Sequence, residues 1–102
     1  MAFETYACYV YVGNDRLSFE TTDIVEAAKW CCETVMGRFY AYRFVCAHCL
    51  AIDTENGPTH FPFSFHRNGS TIVEDNHDSW VIDFEGISLN DLVNLVLSNT
   101  EA

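Results

Sequence analysis

Residues 60–73, HFPFSFHRNGSTIV, decide the fold. Phe61, Phe63 and Phe65 alternate with Pro62, Ser64 and His66, which is the period of a strand with one apolar face. The phenylalanines are expected inward and the other three outward. Asn68-Gly69 follows as a hairpin signal, because glycine takes a left-handed conformation without steric cost. The chain then returns as Thr71-Ile72-Val73. An antiparallel pair with one apolar face must be covered, and the flanking sequence supplies the cover.

Immediately upstream, Phe39 to Ile52 is a long extended segment. Tyr40, Tyr42, Phe44, Cys46, His48, Leu50 and Ile52 share one side; Ala41, Arg43, Val45, Ala47, Cys49 and Ala51 share the other. A helix approaches a sheet most closely over small side chains, so a central strand with a helix on its small side is expected. Glu55-Asn56-Gly57-Pro58 ends the segment. Nearer the N-terminus, Thr5–Val12 reads as a strand buried on both faces, Gly13-Asn14-Asp15 as a turn, and Leu17–Thr21 as a second strand. Thr22-Asp23 supplies an N-cap and Glu26 favours the positive helix end. Ile24, Ala27, Ala28, Cys31 and Val35 fall at helical spacing, so a helix over 23–36 is expected, with Gly37 as its C-cap.

Downstream, Glu74–Ser79 is a polar turn. Trp80, Ile82 and Phe84 then alternate with Val81, Asp83 and Glu85 in a last strand. Ser88 caps a closing helix with Asp91 three residues on, and Leu89, Leu92, Val93 and Val96 form its buried stripe. The whole of 1–102 therefore reads as one α+β domain of order ββα-ββββ-α. Its antiparallel sheet has five to six strands, with both helices packed on one face.

The composition narrows the function. Hydrophobic residues at 49% give the chain a core, and no apolar run approaches the roughly 20 residues of a membrane span. Met1-Ala2-Phe3-Glu4 has no basic segment before an apolar stretch, so no secretory signal is expected. The five cysteines, Cys8, Cys31, Cys32, Cys46 and Cys49, lie in apolar stretches and are odd in number. Reduced, buried thiols and a cytoplasmic location are expected.

The net charge is -10. Residues 1–52 hold six acids against four bases, whereas residues 53–102 hold nine acids against Arg67 alone. Such a chain repels nucleic acid and anionic membrane and attracts basic proteins.

Motifs for chemistry are sparse. Cys46-Ala47-His48-Cys49 has two donors at zinc-like spacing, but on a strand Cys46 and Cys49 point to opposite faces and no second pair follows. Cys46 and His48 share a face, though Phe44 and Leu50 beside them favour a core histidine over a nucleophile's base. His60, His66 and His77 with Asp75 and Asp78 could form an acid-base or metal group; a solvated hairpin tip is the simpler reading. The tyrosines Tyr6, Tyr9, Tyr11, Tyr40 and Tyr42 are expected mostly in the core, any that surface being anchors for a partner along with Trp30. No catalytic residue, cofactor or metal is assigned.

The expectation is a non-enzymatic acidic binding or inhibitor protein that docks a basic, nucleic-acid-handling protein through Glu74, Asp75, Asp78, Asp83 and Glu85. In size, acidity and lack of catalytic residues the chain is similar to phage-encoded inhibitors of bacterial defence, of the anti-CRISPR and anti-restriction kinds, and to toxin-neutralising immunity proteins. That similarity is one of composition and covers no motif. Two alternatives stand beside it. One is a small zinc- or thiol-dependent protein built on Cys46, His48 and Cys49. The other is a homodimer or oligomerisation module, pairing through an edge strand or through the closing helix, whose Leu95 and Leu97 widen the apolar sector, with the charge serving solubility.

Overall fold

The computed structural model describes residues 4–38, 42–76 and 80–100 of the chain. Strand β1 (Glu4–Val12) and β2 (Asp15–Thr21) form an antiparallel hairpin closed by Gly13-Asn14. Gly13 sits at φ 58°, a conformation that a side chain would strain. The Asp23 carboxylate then accepts the Val25 N–H at 2.9 Å and starts helix α1 (Ile24–Glu33).

The expected helix over 23–36 changes character before its end. After Glu33 the chain winds as a π-helical turn, Thr34–Arg38, which places Gly37 inside that turn and not beyond a simple C-cap. The Thr34 hydroxyl donates to the Trp30 carbonyl at 2.7 Å, a side-chain bond that competes with the regular ladder.

Strand β3 (Phe44–Asp53) follows, and the first residues of the expected extended segment, 39–41, lie outside the described residues. β3 pairs with β1 and not with β2, so α1 carries the chain across β1. Strands β4 (Gly57–Asn68), β5 (Thr71–Glu74) and β6 (Val81–Asp83) continue as a meander. The sheet is antiparallel throughout, in the order β2-β1-β3-β4-β5-β6. Helix α2 (Leu89–Ser98) closes the chain, with the Ser88 hydroxyl accepting the Asp91 N–H at 3.2 Å. The six-stranded α+β architecture is the expected one, in the order ββα-ββββ-α.

The core lies between the helices and one face of the sheet. Cys8, Val10, Val12, Val45, Ala47, Cys49, Phe63, Phe65 and Ile72 meet Ala27, Ala28, Cys31, Cys32, Leu92, Val93 and Val96. Small residues dominate the central strands, and α1 answers with alanine and cysteine, so helix and sheet pack closely. Phe65 is fully buried, a burial worth about 1.5–3 kcal/mol.

Four cysteines belong to this core. The Cys8 thiol lies 3.9 Å from the Ala27 carbonyl, to which it donates. Hydrogen bonding to Cys8, and then burial, push the Cys31 and Cys49 thiols up; burial pushes Cys32 up to about 12. Cys31, Cys32 and Cys49 act as small neutral hydrophobes, while hydrogen bonds from Cys31 and Cys49 pull the Cys8 thiol down.

Three local expectations are corrected. The β4 register slips between the pairs Cys49↔Phe63 and Ala51↔His60, so β4 holds one more residue than β3 there. Pro62 occupies this bulge, the one kind of interior strand position that tolerates a missing N–H. In consequence Pro62 is buried and Phe61 is 46% exposed, the reverse of the expected inward Phe61 and outward Pro62. The turn after β4 is centred on Gly69-Ser70, one residue later than Asn68-Gly69, with Gly69 at φ 62°. β6 stops at Asp83, where a 3₁₀ turn, Phe84–Gly86, replaces the expected alternation through Glu85.

Candidate functional site

Strand alternation places a second set of side chains on the sheet face away from the helices. Register orders them into rows. One row runs Arg16, Tyr11, Cys46, His66, Val73, Val81 from β2 to β6. The next holds Ser18, Tyr9, His48 and Ser64, and the row on the other side holds Phe44, Asn68, Thr71 and Asp83. Five inter-strand gaps make this face about 24 Å wide.

The face is aromatic at its centre. His48 lies 5.5 Å from Tyr9, 5.4 Å from Tyr11 and 5.3 Å from Phe61, ring centre to ring centre, the last edge-on. Phe44 lies 5.5 Å from His66. Arg16 sits over Tyr9 at 5.4 Å, within cation–π range. Phe44 is 51% exposed and Val81 61%, and Tyr11 and Phe61 are exposed as well. Desolvation among the rings holds the His48 imidazole below its usual pKa, with the Asp75 carboxylate acting weakly the other way.

These positions revise the sequence reading. His48 is half-buried against rings on a face that no described helix covers, so it is not a core histidine. Tyr9 and Tyr11 share that face and so do not belong to the core; Tyr42 is exposed, and Tyr40 is outside the described residues. Cys46 and His48 lie on the open face while Cys49 is buried beneath the helices, so the three do not converge. Among the described residues no three histidine, cysteine or acidic side chains are grouped to hold a metal.

The acidic residues separate in the same way. Asp75 is exposed and is the organising carboxylate of the open face: it bonds His66 Nδ1 at 2.5 Å and accepts the Ser64 hydroxyl at 3.0 Å. Its own N–H donates to the Ser64 carbonyl at 2.9 Å, fixing the chain that carries it. Asp83 and Glu85 are exposed, with Asp83 accepting the Glu85 N–H at 3.1 Å. Asp78 and His77 lie outside the described residues.

Glu74 corrects the expectation of an exposed position. It is only 5% exposed, on the helix-side face beside Phe65, and it accepts the Asn76 N–H at 2.8 Å. Arg67, the sole base of the acidic half, is buried on that same face, diagonal to Glu74 across the β4–β5 pair. The alternation from Phe63 and Phe65 to Arg67, and from Ile72 to Glu74, carried this signal. His60 is on the helix side too, beside an apolar cleft of about 390 Å³ lined by Tyr6, Ile24, Pro62 and Leu97.

Cys46, His66 and Asp75 stand in the order thiol, imidazole, orienting carboxylate, with Cys46 directly across from His66. Burial and then the Asp75 charge push the Cys46 thiol up. A nucleophile needs the opposite shift. The open face as a whole offers an aromatic centre on β1, β3 and β4, with Arg16 at one side and the Asp75 and Asp83 carboxylates at the other.

Comparison with known proteins finds no matching family model, no matching curated protein and no matching solved structure. No described helix is long and apolar enough to cross a membrane.

Proposed function

We propose that the chain is a non-enzymatic binding protein that docks a basic protein surface on the open face of its sheet. The observation that carries this reading is the uncovered cluster of Tyr9, Tyr11, Phe44, His48 and Phe61 with Asp75 and Asp83 beside it. Contiguous apolar surface rimmed by polar groups is characteristic of interaction sites, and aromatic side chains dominate their energetics. The net charge of -10 selects a cationic partner and speeds its approach.

A partner with a cationic nucleic-acid groove meets both requirements, since its basic side chains would face the carboxylates while its exposed apolar groups met the rings. Masking such a groove is inhibition, which is the action of the counter-defence and immunity proteins that the chain is similar to in composition. Direct nucleic-acid binding is disfavoured: the rings could stack on bases, but Arg16 is the only Lys or Arg among the residues that make up the three rows.

The test is affinity capture from host extract with wild-type bait and with a Phe44→Ala/Phe61→Ala bait. A basic protein retained by the first and lost from the second supports the reading. An acidic partner, or identical capture by both baits, refutes it.

A further inference from the structure

We propose that the chain forms a homodimer in which β2 pairs antiparallel with β2 of a second copy, joining two six-stranded sheets into one. The two edges of the sheet are built differently. β6 is three residues long and is turned off by the 3₁₀ turn that Asp83 caps. Shortening of this kind is how proteins close an edge against further pairing. β2 has none of it. It runs seven residues in unbroken register with β1, without bulge or proline, and among the described residues β1 is its only strand neighbour.

The charges on β2 are spaced to match themselves. Opposed residues in an antiparallel pair must share a sheet face, because a one-residue slip turns every side chain over. A twofold axis at Ser18 satisfies this and pairs the full strand. Ser18 then faces Ser18 of the second copy, Arg16 faces Glu20, Leu17 faces Phe19 and Asp15 faces Thr21. Moving the axis one residue either way leaves Arg16 and Glu20 unmatched. Moving it two sets Arg16 against Arg16, or Glu20 against Glu20. One register alone uses the whole strand and pairs opposite charges, twice over by symmetry.

The apolar positions agree. Leu17 and Phe19 are half-buried on the helix side, and Trp30 of α1 stacks on Phe19 at 5.3 Å and 13°. Pairing brings Leu17 of the second copy beside this stack. Arg16 is exposed above Tyr9 and can reach across the edge. With the axis perpendicular to the sheet, both helical layers lie on one side and both aromatic faces on the other.

Sedimentation and light scattering on the full chain over a concentration series test the proposal without any docking partner, so its outcome is separate from that of the proposed function. Wild type is expected to dimerise with rising concentration. Arg16→Glu and Glu20→Arg should each weaken self-association about tenfold, since each replaces two opposed attractions with repulsions. An equimolar mixture of the two variants should recover wild-type association, because every opposed pair is then of opposite sign. Under oxidation Ser18→Cys should cross-link to its own copy, at a Cα separation of about 4.5–5.5 Å that suits a disulfide. Glu20→Cys, roughly 13 Å from its own copy along the paired strands, should not. A wild type that stays monomeric, a mixture that associates no better than either variant alone, or equal cross-linking at positions 18 and 20 would each overturn the proposal. The cross-linking pair keeps the test decisive if a charge reversal unfolds the chain.

Discussion

The two faces of the sheet are made by the same strands and differ in the size of what they carry. Under the helices the central strands present Cys8, Val10, Val45, Ala47 and Cys49; away from them the same strands present Tyr9, Tyr11, Phe44, Cys46 and His48. Small side chains let α1 approach and close a core. The large face has no such cover within the described residues, yet rings occupy its centre. A fold that needs only one covered face has kept a second one rich in rings, and that surplus is what a binding surface requires.

The sharpest way to break this comparison is to remove a ring from each face. Phe65→Ala, beneath the helices, should cost about 3–5 kcal/mol, the range for a buried phenylalanine. Phe44→Ala, half-exposed on the open face, should cost under about 1 kcal/mol. Urea unfolding of the two variants reads the difference directly. Equal losses would mean that the open face is also structural.

Neighbouring acids offer a smaller contrast. Glu74→Ala empties a buried position and leaves the Asn76 N–H without the acceptor it has now, so about 1–3 kcal/mol should be lost. Asp75→Ala removes an exposed pair with His66 and should lose about 1 kcal/mol or less. Denaturant midpoints that ranked them the other way would contradict the division of the two carboxylates between faces.

A third probe is pH. His48 has its pKa lowered in the folded chain from the ordinary 6.5. Its contribution is therefore intact above that value. It is lost as pH falls from about 6.5 toward the folded pKa, because the unfolded chain then binds the proton first. Comparing urea midpoints at neutral and mildly acidic pH should show a drop for wild type that is smaller in His48→Phe. An equal drop in both would place the acid sensitivity elsewhere.

The smallest stability effect belongs to the acidic rim. Glu85→Lys, which leaves the Asp83 cap in place, should leave the melting temperature nearly unchanged, within about 0.5 kcal/mol of stability, while weakening partner binding. That binding should also fade with added salt, since exposed charges are screened over about 8–10 Å. Salt-independent affinity in the captured complex would count against an electrostatic docking surface.

Much of the architecture was legible along the chain because it rests on local rules. The period of two in Phe63–His66, the Asp23 and Ser88 caps and the small side of Val45–Ala51 each follow from neighbours within a few residues. The candidate site was legible only in fragments. Phe44, Cys46 and His48 could be assigned to one face of β3, and Asp83 to a wet position. Their meeting with Tyr9, Tyr11 and Asp75 depends on β3 pairing with β1 and β4, which no local pattern states.

By itself, the sequence determined the order of strands and helices, the acidic balance and most of the grouping of side chains by face. Alternation and helical spacing report which residues point the same way. Only the tertiary structure decided which strands become neighbours and how the Pro62 bulge turns Phe61 outward. It also placed Arg67 and Glu74 inside. These outcomes come from pairings between strands far apart in the chain, whose stability is set by the packing of whole faces and not by any residue's own preference.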